Sequence, residues 1–217
     1  MKNWISLQSF FTALNKNVEY IVLRNYEEFQ NGQFNTDHPD IDILCRQPKE
    51  FIAVAQSISR NSNKKDLIHQ QVKIRDTIIS LDVRYVGDDY YDERWEDSML
   101  GQRRIFNDLC YVMDEKNYFF SLLYHALIQK TKVSDDYRIR LEAMAKEING
   151  VTMTQPVSLE TLQTYMREKH YSFTYPKYPG TIANFSNVDK TLVKKDVTRI
   201  LDRFFFQIKR RIISFYK

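Results

Sequence analysis

The chain is poor in cysteine: of 217 residues only Cys45 and Cys110 carry a thiol, and no CxxC pair occurs. That argues against a disulfide framework and against a cysteine zinc site. Glycine and proline, five each, are too few for collagen-like or linker-rich architectures, and no fixed-period self-similarity suggests a solenoid. Long hydrophobic runs are missing as well. No stretch reaches the roughly 18 apolar residues of a membrane span, and the opening Met1, Lys2, Asn3 and Trp4 lacks the apolar core of a signal peptide. The expected location is cytoplasmic.

What remains is a globular composition, 43% hydrophobic and 28% charged, in a chain sized for one ordinary domain with a helical appendage. The net charge of +4 is mild but uneven. Residues 189–217 hold nine Lys or Arg against three Asp, a net of +6, so the preceding 188 residues are net −2. The basic character belongs to the tail. A duplex binder carries its basic face on the main domain, so no duplex nucleic acid partner is expected.

Trp4, Leu7, Phe10, Phe11 and Leu14 recur at helical spacing and predict an amphipathic helix over the first 15 residues. An apolar run at 20–23 suits a buried strand. Residues 24–39 are polar and turn-rich, with Asn31 and Gly32 at a turn and 37–39 closing the loop. Ile41, Ile43 and Leu44 flank Asp42 in a second strand, and 48–59 reads as a helix. From 69 to 86 a hairpin is expected, with Val72 and Ile74 on one arm, Ile78, Ile79, Leu81, Val83 and Tyr85 on the other, and 75–77 at the turn. Beyond Gly87 the pattern becomes helical, at 118–130, 135–148 and 158–169, the last opened by Ser158 as N-cap. Residues 171–187, with Pro176, Pro179 and Gly180, read as a linker, and a last helix starts near Lys194. The order helix, strand, strand, helix, strand, strand describes an α+β fold: a mixed sheet with flanking helices, followed by a helical C-terminal region.

Asp40 and Asp42 stand at i and i+2 of the second strand, so they point to the same face with Cα atoms about 7 Å apart. The residues between and after them are apolar and face a core on the other side. Asp82 likewise interrupts an apolar strand, between Leu81 and Val83. A buried, unpaired charge is costly, and a divalent cation held by carboxylates and substrate phosphates would relieve it. In two-metal phosphoryl transfer, carboxylates hold the cations, one of which activates the attacking hydroxyl while the other stabilises the leaving phosphate. The plainer reading is that Asp40 ends a turn after Pro39 and Asp42 pairs with an arginine such as Arg84.

The segment 20–46, containing YIVLRNYEEF and then DHPDIDILCR, resembles the nucleotidyltransferase superfamily, and is most similar to bacterial members encoded beside cell-envelope polysaccharide genes. The similarity runs on through SLDVRYVGDDYYDERWEDSML and LYHALIQK and spans 20–141. The resemblance implies a nucleotidyltransferase-like mixed sheet and a Mg2+-dependent transferase, with two ions possible, acting on a nucleotide or phosphorylated acceptor. It implies Asp40, Asp42 and Asp82 as catalytic and metal-binding residues, and Arg24, Asn25 and Lys130 as phosphate contacts. One difference stands out. Where active members carry Gly-Ser or Gly-Gly ahead of the DxD strand, with amides that hold the triphosphate, this chain has Arg24 and Asn25. Arginine can bind phosphate bidentately and asparagine can donate from its amide.

Several residues keep two readings. Lys130 is a phosphate ligand or a solvated helix-end lysine. His125, among Leu122, Leu123, Ala126 and Leu127, reads more readily as a core histidine than as an acid or base. Tyr137 stacks on a base or simply packs. The run Asp88, Asp89, Tyr90, Tyr91, Asp92, Glu93 and Trp95 borders an acceptor site or forms a solvated loop leading into a helix. In the tail, Val197, Ile200, Leu201, Phe204, Ile208, Ile212 and Phe215 follow helical spacing opposite Arg199, Arg203, Lys209, Arg210 and Arg211. Such a helix can lie on an anionic membrane surface at the inner face of the membrane, dock on a partner, or pack on its own domain.

The expected division is a nucleotidyltransferase-like α/β domain at 1–115, a helical subdomain at 116–170, a linker at 171–193 and a basic amphipathic helix at 194–217. Rival functions are a non-catalytic nucleotide-binding or scaffold relative, and a nucleotidyltransferase toxin or defence protein.

Overall fold

The computed structural model describes residues 3–29, 39–61, 66–148 and 155–215, with side chains to residue 212. The chain forms two compact units. One comprises Met1–Val86 and Glu96–Tyr118, the other Gly87–Trp95 and Phe119–Lys217. The turn expected at Asn31 and Gly32 and most of the 37–39 loop lie outside the described residues.

The first unit is a mixed sheet covered by helices. Its strands are β1 (Asn3–Trp4), β2 (Tyr20–Val22), β3 (Asp40–Cys45), β4 (Ile58–Ser59), β5 (His69–Ile74), β6 (Thr77–Tyr85), β7 (Arg104–Phe106) and β8 (Cys110–Val112). The order across the sheet is β1-β5-β6-β3-β2-β8-β7, with β4 also on β5. The central pair β3 and β6 is parallel, whereas β2–β3 and β5–β6 are antiparallel. The α+β class and the mixed sheet are therefore as the sequence pattern indicates.

Helix α1 (Leu7–Asn17) starts at a capping box in which Ser6 accepts from the Ser9 amide and the Ser9 hydroxyl accepts from the Ser6 amide. Trp4 is not part of it. It sits in β1, paired in parallel with Ile74, and its indole donates to the Ala55 carbonyl at 3.0 Å. Leu7, Phe10, Phe11 and Leu14 are buried, as are Phe51 and Ala55 of α2 (Pro48–Ala55). That helix stops short of the expected 59. Gln56 takes a left-handed conformation at the C-cap, and Ile58 moves into β4.

Alternation along the strands explains the burial. On β3 Ile41, Ile43 and Cys45 are buried, as are Ile79, Leu81 and Val83 on β6 and Gln70, Val72 and Ile74 on β5. The opposite face carries Asp40, Asp42, Ser80, Asp82, His69, Gln71 and Lys73. The β7–β8 hairpin falls between Gly87 and the first helix expected at 118, where the sequence pattern assigns no strand. Its turn places both Asn107 and Asp108 at positive φ, 48° and 53°, a conformation that Asn and Asp tolerate better than most residues.

The second unit is built of helices around an aromatic core. It holds the 119–128 part of α4 (Glu115–Ile128), α5 (Asp135–Ala145), α6 (Leu159–Glu168) and α7 (Val197–Phe215). Ser158 caps α6 by accepting from the Thr161 amide at 3.1 Å. Trp95, at the boundary within α3 (Glu93–Gly101), is fully buried and meets the rings of Tyr91, Tyr124, Tyr165 and Tyr171 at centroid distances of 5.0, 5.8, 5.5 and 5.7 Å. The segment expected to be a linker is packed: Tyr171, Phe173, Thr174, Phe185 and Val188 are buried, and the Phe173 amide and carbonyl bond to Leu192 and Lys194.

Candidate functional site

The ladder between β3 and β6 aligns Asp42 directly with Asp82 and Asp40 with Ser80. Side chains of residues paired on neighbouring strands share a face, about 4.8 Å apart, and Asp40 lies on that face two residues from Asp42. The three aspartates singled out in the sequence are thus neighbours on one face of the first unit. The next strand extends the row, because His69 on β5 pairs with Asp82. From β3 to β5 this row is polar, through Asp42, Asp82 and His69, whereas the buried Leu23 continues it beyond β2; the reverse face of β3 and β6 carries the core residues Ile41, Ile43, Leu81 and Val83. That division explains how aspartates survive inside strands of isoleucine, leucine and valine.

Two arginines close on this row. β2 continues its pairing for one more bond, from the Leu23 amide to the Asp42 carbonyl at 2.9 Å. Arg24 follows, and its Nε donates to Asp42 Oδ2 at 2.8 Å, with both side chains nearly buried at 10% and 13% exposure. On the far side Arg60, which leaves β4 and bonds its amide to the His69 carbonyl, pairs with Asp82. That pair is more open, at 30% and 42% exposure. The plainer expectation of an arginine partner for Asp42 holds, although the partner is Arg24 in place of Arg84. Arg84 is buried further along β6.

Asp66 adds a second carboxylate cluster beside the row. It accepts from the amides of Ile68 and His69, from Asn61 Nδ2, and contacts His69 Nδ1 at 2.8 Å. Burial pushes this carboxyl up, but the His69 amide and ring, the Ile68 amide and the Asn61 side chain outweigh burial and hold it down at about 2. Arg60, Asp66 and His69 were not among the sequence candidates. His69 was accessible to strand alternation counted back from Asp82 across the hairpin. Arg60 and Asp66 lie in a polar loop whose sequence carries no such pattern.

Asn25 has φ 60° and ψ 16° and its carbonyl accepts from the Glu28 amide, so it serves as a turn former at the start of a 3-10 turn, Tyr26–Glu28. Lys130 is exposed beyond α4 and belongs to the second unit, whereas the aspartates belong to the first. His125 is buried, with Nδ1 3.0 Å from Gln129 Oε1 and its ring 5.7 Å from that of Tyr137. Both residues thus pack within the helical unit. In the acidic and aromatic run Asp88, Tyr90, Tyr91, Asp92 and Trp95 are buried, Asp89 is half-buried and Glu93 is exposed. Asp88 accepts from the Tyr90 amide and Asp92 from the amides of Arg94 and Ser172.

Carboxylate oxygens are the donors that a hard divalent cation takes, so the residue types at Asp40, Asp42 and Asp82 suit magnesium. Their arrangement is different. Arginines occupy Asp42 and Asp82, and among the described residues no group of three His, Cys, Asp or Glu side chains is gathered as a ligand set. The row binds guanidinium as it stands, and a metal ion would take Asp42 and Asp82 only once these arginines have moved off them.

No family pattern matches the chain, and no curated protein does. Among solved structures the chain is similar to the solution structure of the antibiotic-resistance factor ANT(2'')-Ia, with a TM-score of 0.39 and 14% identity over 74% of this chain and 89% of that one.

Proposed function

We propose that the chain is a transferase of the nucleotidyltransferase class whose phosphate-binding site is the face bearing Asp40, Asp42 and Asp82. The observation that supports this reading best is the register that sets Asp42 beside Asp82 on adjacent parallel strands, with Asp40 on the same face. A DxD strand beside a third aspartate strand is what the sequence resemblance of 20–46 implies.

Arg24 and Arg60 supply the positive groups at this face. A guanidinium binds two phosphate oxygens in a planar fork, and Arg24 reaches Asp42 through Nε, on one edge of that fork. A phosphate that draws Arg24 away leaves Asp42 as an unpaired carboxylate, which favours a ligand that brings a cation with it. Asp40, Asp42 and Asp82 are the residues that would hold a divalent ion, which when bound neutralises phosphate charge. Asn25, in its left-handed turn, fixes the direction in which Arg24 leaves β2. Lys130 as a further phosphate contact, and a nucleotide or phosphorylated acceptor used in envelope polysaccharide synthesis, rest on the sequence resemblance.

A second reading has its own support: the nearly buried Arg24–Asp42 pair, standing where active members have Gly-Ser, suits a binding relative that lacks turnover. Titration calorimetry with nucleoside triphosphates, with and without Mg2+, tests both. Magnesium-dependent binding lost in Asp42→Asn supports the site, and unchanged binding in that variant refutes it. Binding without pyrophosphate release from any triphosphate favours the second reading.

A further inference from the structure

Helix α7 is mounted with its apolar side outward. At about 100° per residue, Arg199, Arg203 and Phe206 fall within an arc of about 60°. These are the side chains that turn inward. Arg203 donates to the Thr181 carbonyl and lies over the Tyr175 ring at 5.7 Å, and Phe206 meets Tyr178 at 6.2 Å. Arg199 reaches Asp89 at 3.9 Å and Asp202 at 3.6 Å. Burial holds the Arg203 guanidinium below its ordinary range.

The opposite side carries Val197, Ile200, Leu201, Phe204, Phe205, Ile208 and Ile212, each between 38% and 70% exposed. They cover an arc of about 140°. A surface helix ordinarily buries such a stripe and leaves its cations in water. Here the second unit takes up two arginines and one phenylalanine and leaves the stripe uncovered. At the C-terminal half, Lys209 and Arg211 border the two edges of the stripe, with Arg210 behind, and all three are exposed.

We propose that α7 anchors the protein to an anionic lipid surface, its stripe in the interface and its flanking cations on the lipid headgroups. Three features select this occupant. The stripe is wider than a two-helix seam uses. The cations at its edges have stems long enough to reach headgroups while the rings enter the apolar layer. The tail is net +6, so a second copy would set cation against cation, whereas an anionic surface complements it. The inward hydrogen bond and ring contacts leave the stripe ready for binding without unfolding the unit.

The test is flotation of the full chain with vesicles of equal parts phosphatidylcholine and phosphatidylglycerol, and with vesicles of phosphatidylcholine alone. The wild type should float with the former and stay behind with the latter. F204S/F205S should abolish flotation, and its far-UV circular dichroism should match the wild type because both rings are exposed. K209Q/R211Q should weaken partition about thirtyfold, each cation near an anionic surface being worth about fivefold. The proposal is overturned by absence of wild-type flotation, by flotation that survives F204S/F205S, or by equal partition to neutral vesicles. A wild-type dimer that F204S/F205S converts to monomer, with no vesicle binding, overturns it in favour of a second copy.

Discussion

The two arginine–carboxylate pairs at the candidate site are chemically alike yet should differ several-fold in strength. Arg24–Asp42 has side chains 10% and 13% exposed, while Arg60–Asp82 stands at 30% and 42%. Removing one partner of a buried pair strands the other charge and costs about 3 to 5 kcal/mol. An exposed pair contributes about 0.2 to 1 kcal/mol, further reduced by salt. Asp42→Asn and Arg24→Gln should therefore each destabilise the first unit by about 3 kcal/mol, and the double variant by much less than the sum. The coupling energy expected from the cycle is about 2 kcal/mol. The matching cycle on Arg60 and Asp82 should give less than about 1 kcal/mol. Urea unfolding followed by indole fluorescence measures both. The chain has two tryptophans, and Trp95→Phe leaves Trp4 of the first unit as the sole reporter. A coupling below about 0.5 kcal/mol for Arg24–Asp42, or equal values for the two pairs, refutes the argument from burial.

In the second unit, Trp95→Ala should cost about 3 to 5 kcal/mol, because it empties the space that Tyr91, Tyr124, Tyr165 and Tyr171 close around. Near-ultraviolet circular dichroism through a urea series reads this, and a loss under about 1 kcal/mol would contradict the packing, since so small a cost follows only from a site that collapses freely. Acid stability should depend on Asp66. Its carboxyl is held at about 2 in the folded chain, below the ordinary value near about 3.9 of an unfolded one. The contribution is therefore present above about pH 4 and is lost as the pH falls to about 2. Asp66→Asn should flatten the slope of stability against pH across that window, and parallel slopes for the two proteins would count against the cluster.

The strands of the central sheet are legible in the amino-acid pattern because their signal is local. Apolar residues around Asp42 and Asp82 mark two strands with their aspartates at alternating positions, and the hairpin at 75–76 follows from the break between two apolar runs. Helices α4, α5 and α6 are legible too, through Ser158 as a cap and through apolar spacing. The strands β1, β4, β7 and β8 are not. Each has two or three residues, too few for a period to show, and each is held by hydrogen bonds to a neighbouring strand.

Residue type and spacing are enough to establish that three aspartates stand in strands, that the sheet is mixed, and that the tail is basic and amphipathic. They do not place Asp42 beside Asp82, since two parallel strands can pair in many registers and the hydrogen bonding of the folded sheet selects one. Nor do they assign Arg24 and Arg60 to those carboxylates, because ion pairs between distant loops leave no trace in spacing. The same holds for the tail: periodicity gives α7 two faces, but only packing against Tyr175, Tyr178 and Thr181 turns the arginine face inward.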